Sequence, residues 1–503
     1  MAGLPIEITL SDERATERLG QDLALAIRPG DCLALRGDLG AGKSTLARAL
    51  IRCVAGDPEL EVPSPTFTLV QSYDLRVSIA HFDLYRIADA DELVELGLDE
   101  ALEAGAVLVE WPENAAGALP PDAVRVEIAE VAGNARRIRI DGPDPALERI
   151  GRSLDVRAFL EAAGHGDGNR QFLQGDASTR TYETVTTPGG GHFILMDWPE
   201  RLIGPVLRDG KRYAQIAHSA ENVRPFVAID FLLRSNGFRA PEILAQDLDA
   251  GFLLLEDLGQ EGILDKNGRP VVARWEAAID VLVALHRTAI PQRITTPGGI
   301  AHNIPPFDRE AMLIEVELYL SWYLPHKLGA EPSEELKARF HAGWNGLIDT
   351  VAEVPSSLVL RDFHSPNILW QVGRRGIERV GLIDFQDAMI GPAAYDVASL
   401  VQDARVTVEP ALHDRLVARY ERARSEDPDF DPALFREALA IMECQRATKI
   451  LGLFVRLRQR DGKPGYMRHL PRIETYLRRT LEHPVLHPLH DCYTEAGIAP
   501  SES

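Results

Sequence analysis

The stretch Gly37-Asp38-Leu39-Gly40-Ala41-Gly42-Lys43-Ser44-Thr45 fits the spacing G-x-x-x-x-G-K-[ST] of a phosphate-binding loop. It follows the apolar run Cys32-Leu33-Ala34-Leu35-Arg36, read as a strand, and opens a helix over Lys43 to Val54. That strand–loop–helix context separates a working phosphate loop from a glycine-rich turn with an incidental lysine. The glycines let successive backbone N–H groups and the helix N-terminus converge on phosphate oxygens. Gly37, Asp38, Gly40, Ala41, Gly42, Lys43, Ser44 and Thr45 are therefore candidate nucleotide contacts. Lys43 is expected to neutralise the β- and γ-phosphates, and the Ser44 hydroxyl to ligate Mg²⁺. ATP and Mg²⁺ are the cofactors expected.

Outward from the loop the pattern is that of an α/β P-loop NTPase domain. Asp12 to Ile27 has helical spacing, with Ser11 as the expected N-cap. Thr66 to Tyr73, Ser78 to Phe82 and Ala106 to Val109 read as strands. Val124 to Glu130 and Arg136 to Asp141 read as a hairpin. Asp83 and Glu110 each sit at the end of an apolar run. A carboxylate there, on the phosphate side, suits a second Mg²⁺ ligand or a water-orienting group. A solvated strand end fits each of them equally well at this stage. His81 reads equally as a core-edge histidine, and Trp111 as a packing residue.

The 503 residues call for two to four domains. Hydrophobic content of 45% and charged content of 26% are those of a soluble globular protein. No run approaches membrane-spanning length, and Met1 to Glu7 lacks the features of a signal peptide. Cys32, Cys53, Cys444 and Cys492 are scattered without C-x-x-C spacing, so neither zinc nor a disulfide framework is indicated, and a cytoplasmic location is expected. Residues 1–142 carry 25 acidic and 13 basic side chains, about half of the net charge of −22. Such a surface repels nucleic-acid phosphates, so little direct nucleic-acid binding is expected.

The P-loop pattern stops at Asp141-Gly142-Pro143-Asp144-Pro145. A first domain over 1–142, a linker over 143–153, a second domain over 154–490 and a tail over 491–503 are expected. Within the second domain, Phe172 to Met196 reads as strands, Asn222 to Asn236 as a helix and Gly251 to Asp257 as a strand. From Trp275 onward the chain reads as mainly helical, interrupted over 358–386. That interruption holds Arg361-Asp362-Phe363-His364-Ser365-Pro366-Asn367, the order R-D-x-x-x-x-N, and then Leu382-Ile383-Asp384. Phosphoryl transfer to an alcohol needs a carboxylate near the hydroxyl and oxygen ligands for Mg²⁺. Asp362 is the base candidate, with Asn367 and Asp384 as metal ligands. The nucleotide side is less regular. Gly175-Asp176-Ala177-Ser178-Thr179-Arg180 suits a phosphate-covering loop, with Ser178 and Arg180 as contacts, but it is not G-x-G-x-x-G. No lysine stands in Phe193-Ile194-Leu195-Met196, and Arg180 and Lys211 are the candidates for its role.

Four blocks in order resemble the TsaE family: Gly37 to Thr45, Pro63-Ser64-Pro65-Thr66-Phe67, His81-Phe82-Asp83-Leu84-Tyr85-Arg86 and Val109-Glu110-Trp111-Pro112-Glu113. That family is the bacterial ATPase of threonylcarbamoyladenosine synthesis on tRNA. The resemblance implies that Thr66 sits in a switch-like loop and that Asp83 and Glu110 lie at the Mg²⁺–phosphate site. It also implies a partner complex of the TsaB and TsaD type that carries the tRNA.

Residues from about 150 to 490 resemble the aminoglycoside-phosphotransferase-like fold, a two-lobed α+β kinase. They are most similar to its anomeric N-acetylmuramate/N-acetylglucosamine kinase branch, AmgK. The resembling stretches are Gly175 to Tyr182, Leu195-Met196-Asp197, Gly251 to Gly259, Arg361-Asp362-Phe363, Ile383 to Ala388, Gly391-Pro392 and Tyr395-Asp396. That branch also lacks the lysine at the Met196 position. Leu360 departs from the histidine usual before Arg-Asp, which bears on loop geometry more than on Asp362. The resemblance implies ATP-dependent phosphorylation of the anomeric hydroxyl of an amino sugar from cell-wall recycling. Another small alcohol, such as an aminoglycoside or choline, is the alternative acceptor, and a nucleotide-binding regulatory module without turnover is the alternative role.

Overall fold

The computed structural model describes residues 4–498 apart from 88–95, 116, 132, 174–179 and 201–203. In it, β2 (Cys32–Arg36), β4 (Ile79–Asp83) and β5 (Ala106–Glu110) form the parallel centre of a seven-stranded sheet. With β1 (Ile6–Leu10), β3 (Val70–Tyr73), β6 (Val124–Glu130) and β7 (Arg136–Asp141), its order is β1-β7-β6-β2-β5-β4-β3. Strands β4 and β5 are buried at every position because both faces of the sheet are covered. In β6 buried and exposed residues alternate, as suits one buried face. Helices α1 (Glu13–Ala26) and α2 (Lys43–Ala55) pack together on one face, and the short α3 (Leu98–Ala104) precedes β5. Gly20 is required between α1 and α2, because a methyl group would lie 2.7 Å from Ala49 Cβ and 2.8 Å from the Leu46 carbonyl oxygen.

Local differences from expectation have simple causes. Asp12, not Ser11, caps α1, accepting from the Ala15 N–H at 2.8 Å. The strand expected from Thr66 starts only at Val70, because Leu69 adopts φ 65° and its N–H bonds the Pro65 carbonyl at 2.7 Å. The stretch 143–153, expected as a linker, is the first half of α4 (Asp144–Ala162). Its Pro145 lies in the first turn, where a proline gives up no helical hydrogen bond. Ala146, Leu147 and Ile150 of α4 join the core of the seven-stranded sheet. Val156 and Leu160 join the core of a second sheet with Val185, Leu195, Phe252 and Leu254.

That second sheet has five strands. They are β8 (Asn169–Leu173), β9 (Thr181–Thr186), β10 (His192–Asp197), β11 (Ile243–Asp247) and β12 (Phe252–Glu256), in the order β11-β12-β10-β9-β8. The chain divides into two compact units, residues 1–198 with 244–256 and residues 199–243 with 257–503. Both sheets belong to the first.

The second unit is mainly helical, built on α5 (Arg224–Ser235), α6 (Val272–Arg287), α7 (Arg309–Leu318), α8 (Glu334–Ala352), α9 (Ala394–Val401), α10 (Pro410–Arg424), α11 (Pro432–Gln459) and α12 (Leu470–Thr480). Helix α11 is buried along most of its length, and Asp431 caps it by accepting from the Ala433 N–H at 2.7 Å. Among the described residues four two-stranded ribbons interrupt the helices, and two of them carry the motif-bearing stretch. β13 (Ser356–Val359) pairs with β16 (Met389–Pro392), and β14 (Ile368–Trp370) with β15 (Val380–Leu382), both antiparallel. No helix among the described residues is long and apolar enough to cross a membrane.

Candidate functional site

The glycine loop joins β2 to α2 as expected, with Gly37, Gly40 and Gly42 at φ 156°, 84° and 112°. Gly37 is also fixed by space, since a Cβ would lie 2.5 Å from the Ile128 carbonyl oxygen. Lys43 donates from Nζ to the carbonyls of Gly37 (2.6 Å) and Asp38 (3.0 Å). Its ammonium also lies 3.6 Å from the Trp111 ring centroid, so Trp111 is more than packing. Burial pushes the Lys43 ammonium down from its usual range, while Glu110, Glu113, Asp83 and Asp38 act to raise it.

The parallel register of β4 and β5 sets Asp83 beside Glu110 at the strand ends. Glu110 accepts from Ser44 Oγ at 2.9 Å and lies 2.9 Å from His81 Nε2, with Glu110 and His81 both buried. Asp83 accepts from Thr66 Oγ1 (2.8 Å), Ser64 Oγ (3.2 Å) and the Tyr85 N–H (3.0 Å). Thr66 thus meets Asp83, and Ser44 meets Glu110. Among the described residues no three metal-type side chains gather at one point. Ser44 with Glu110 is nonetheless a donor set that fits Mg²⁺, which takes one or two carboxylates and completes its shell with phosphates and water.

In the second unit Asp362 follows β13, Asn367 precedes β14 and Asp384 follows β15. The two ribbons bring them together. Asn367 Nδ2 donates to the Asp362 carbonyl at 3.0 Å and to Asp384 Oδ2 at 3.2 Å, and Gln386 Nε2 donates to Asp384 Oδ1 at 3.0 Å. The Asn367 amide and Asp384 carboxylate also fit a divalent ion bound to phosphates. Asp387 accepts from the Ala220 N–H at 2.6 Å, a loop-bracing role.

Arg361 and Asp384 are non-glycine residues at φ 70° and 62°. Such strain persists only where the surroundings enforce it. Here Asp396 accepts from the N–H groups of Leu360 (2.6 Å) and Arg361 (3.0 Å), and Asp403 from that of Ser365 (2.7 Å). The departure at Leu360 therefore leaves the loop braced from α9. The buried Arg361 guanidinium donates to the Ala217 carbonyl at 3.1 Å and pairs with Glu315. Glu315 also holds Lys449 Nζ at 2.7 Å and Gln445 Nε2 at 2.9 Å. Burial alone would raise the Glu315 carboxyl, but Lys449 and Arg361 hold it at about 2. Burial likewise opposes ionisation of Asp362, and His364, Lys449, Arg446 and Arg361 together hold its carboxyl below the usual range. Burial pushes Asp396 up to about 7, against the two N–H bonds it accepts.

Glu315, Arg446 and Lys449 were not singled out from the sequence. Arg446 and Lys449 had no signal of their own, since α11 also carries Arg436, Glu437, Glu443 and Gln445. Glu315 had none beyond its own burial. Ser178 lies outside the described residues. Arg180 sits with its guanidinium 4.9 Å from the Trp198 ring centroid. Lys211 is exposed and pairs with Glu310 at 3.5 Å. Met196 is buried in β10.

The family model for the threonylcarbamoyl adenosine biosynthesis protein TsaE matches residues 10–138, and that for the phosphotransferase enzyme family matches residues 169–434. An N-acetylmuramate/N-acetylglucosamine kinase of Caulobacter vibrioides is 34% identical over 347 residues, 67% of this chain and 94% of that protein. One of Pseudomonas aeruginosa is 35% identical over 261 residues, 51% of this chain and 73% of that protein. A tRNA threonylcarbamoyladenosine biosynthesis protein TsaE of Rickettsia conorii is 38% identical over 129 residues, 25% of this chain and 73% of that protein.

The chain belongs to both families. It is a fusion of a TsaE-family P-loop domain and an AmgK-like kinase, and it is an enzyme. The TsaE match ends three residues before the end of β7. The phosphotransferase match begins at the first residue of β8, so α4 falls between the two.

Proposed function

We propose that the TsaE part hydrolyses ATP in support of threonylcarbamoyladenosine synthesis, docked on a TsaB/TsaD-type complex that carries the tRNA. We propose equally that the kinase part phosphorylates the anomeric hydroxyl of N-acetylmuramate or N-acetylglucosamine from ATP, in cell-wall recycling in the cytoplasm. The observation that carries the kinase reading is the meeting of Asp362, Asn367 and Asp384 on two adjoining ribbons.

In the kinase, Asp362 accepts a hydrogen bond from the acceptor hydroxyl and takes its proton as the phosphoryl group transfers. Its low proton affinity keeps it ionised at every physiological pH. It works as an orienting group that becomes a base late, which suits a loose transition state with little charge on the attacking oxygen. Asn367 and Asp384 would hold Mg²⁺, which gathers phosphate charge when bound. In the TsaE part, Lys43 and the loop N–H groups bind the phosphates, Ser44 and Glu110 would hold Mg²⁺, and Asp83 steadies Thr66.

Full-length protein is assayed for ATP consumption with N-acetylmuramate, N-acetylglucosamine, choline and kanamycin. Turnover confined to the two sugars is expected, and turnover only with choline or kanamycin overturns the sugar assignment. Lys43→Ala should abolish sugar-independent ATP hydrolysis and fail to rescue a strain lacking TsaE. Rescue by that variant removes the P-loop from the tRNA role.

A further inference from the structure

Four charged side chains are buried together where the TsaE part meets the five-stranded sheet of the kinase part. Asp22 lies on α1, Arg157 on α4, Arg170 on β8 and Glu183 on β9, each less than one-tenth exposed. Arg170 lies flat against Glu183, Nε to Oε2 at 2.7 Å and Nη2 to Oε1 at 2.9 Å. Its remaining nitrogen reaches Asp22 Oδ1 at 2.7 Å and the Ser153 carbonyl at 2.8 Å. Arg157 reaches Asp22 from Nη2 at 2.8 Å and from Nε at 3.1 Å, and donates to the Gly166 and Gly168 carbonyls at 3.0 and 2.8 Å. The P-loop helix joins the same place, with Cys53 Sγ of α2 3.3 Å from the Arg170 carbonyl oxygen.

The charges balance only across the junction. On the kinase side, Arg157 and Arg170 face one carboxylate, Glu183, which leaves a buried excess of one positive charge. Asp22, from the TsaE part, supplies the missing negative charge. A buried guanidinium without a counter-charge draws in water or moves its strand, because desolvation without pairing is costly. Glu183 and Arg170 lie on the adjoining strands β9 and β8, and Arg180, the expected nucleotide contact, stands directly before β9. Whatever holds this ion pair holds the two strands in register.

We infer that Asp22 is a positioning residue of the kinase: it fixes Arg170 and, through it, the β8–β9 pair on which nucleotide binding by the kinase depends. The TsaE part then completes the kinase's nucleotide lobe. This rests on the kinase reading above.

The test uses the full chain with N-acetylmuramate as acceptor. Asp22→Asn keeps the shape of the side chain and removes its charge. The KM for ATP in sugar phosphorylation should rise about tenfold with kcat within about twofold, a loss of ground-state binding. Asp22→Asn/Arg157→Met restores charge balance and should return KM to within about twofold of the parent. In a Lys43→Ala background, calorimetry with a non-hydrolysable ATP analogue should show the same weakening at the remaining site, reversed in the same way.

An unchanged KM in Asp22→Asn overturns the inference. So does a folded double variant whose KM stays raised, which would show that charge balance is not what Asp22 provides. If Asp22→Asn alone does not fold, the double variant decides by the same two outcomes. A parent protein that phosphorylates no sugar overturns the acceptor assignment instead, and the calorimetric arm still judges Asp22.

Discussion

The two loops proposed to handle phosphate in this chain solve one problem by opposite means. Between Gly37 and Thr45 the unusual backbone angles fall on glycines, which adopt them without a Cβ penalty. The atoms proposed to hold the nucleotide there come from nine consecutive residues and two strand ends. Around Asp362 the left-handed angles fall on Arg361 and Asp384, where each costs about 1–3 kcal/mol. That cost is offset by carboxylates and cations on α7, α9 and α11, distant in sequence. A loop built on glycine carries its geometry within itself, whereas a loop built on strained side chains borrows it from its surroundings. The first is vulnerable at its own residues, and the second at residues that touch no substrate.

The largest effect should come from Asp362→Asn, which keeps the shape and removes the proton acceptor. We expect kcat for the sugar to fall about 10³-fold with KM for ATP little changed. Sugar-independent ATP hydrolysis by the P-loop should persist, and this separates the two machines. Unchanged sugar turnover would remove Asp362 from the role of proton acceptor. Next comes Glu315→Gln, which leaves Arg361 and Lys449 buried without their shared carboxylate. We expect a stability loss of about 3–5 kcal/mol by urea unfolding. A kcat loss should follow, although Glu315 is held from the reaction by Arg361. An effect under 1 kcal/mol would show that the strain at Arg361 is relieved elsewhere.

Gly37→Ala tests the other side of the comparison. Its methyl would stand 2.5 Å from the Ile128 carbonyl oxygen, so the loop must shift. A cost of about 1–3 kcal/mol is expected, with loss of P-loop hydrolysis. Sugar kinase activity at saturating ATP should hold if the loop's geometry is as self-contained as its glycines imply.

This contrast also sorts what was legible in the sequence. Lys43, Ser44, Asp83 and Glu110 could be named because a phosphate loop is contiguous and its helpers sit where parallel strands end. Asp362, Asn367 and Asp384 could be named because two short ribbons return them at small separations. Glu315 and Asp403 could not, since no spacing links α7 or the end of α9 to residue 361. Helix α4 was hidden by its own start signal: Asp-Gly-Pro-Asp-Pro reads as a break, yet Pro145 fits the first turn of a helix. The tie between the two parts, through Asp22, was hidden for the same reason as Glu315. A buried ion pair leaves no periodic trace.

The smallest effect is a pH dependence confined to the kinase part, and its sign follows from Glu315. Lys449 and Arg361 lower its carboxyl from the ordinary 4.5 to about 2 in the folded protein. The unfolded chain therefore binds a proton that the folded chain refuses over that window. The pairing contributes its full stability above pH 4.5, and the contribution is lost as pH falls through about 2. Between pH 7 and pH 4 the loss should be only about 1 kcal/mol, steepening below pH 4. Urea unfolding at pH 7, 5 and 4 measures it. Glu315→Gln, already less stable at pH 7, should lose less on acidification than the parent, so the two curves converge toward low pH. Parallel curves would mean that the acid sensitivity of the kinase part lies in other carboxylates, and that the bracing of Arg361 does not depend on the charge of Glu315.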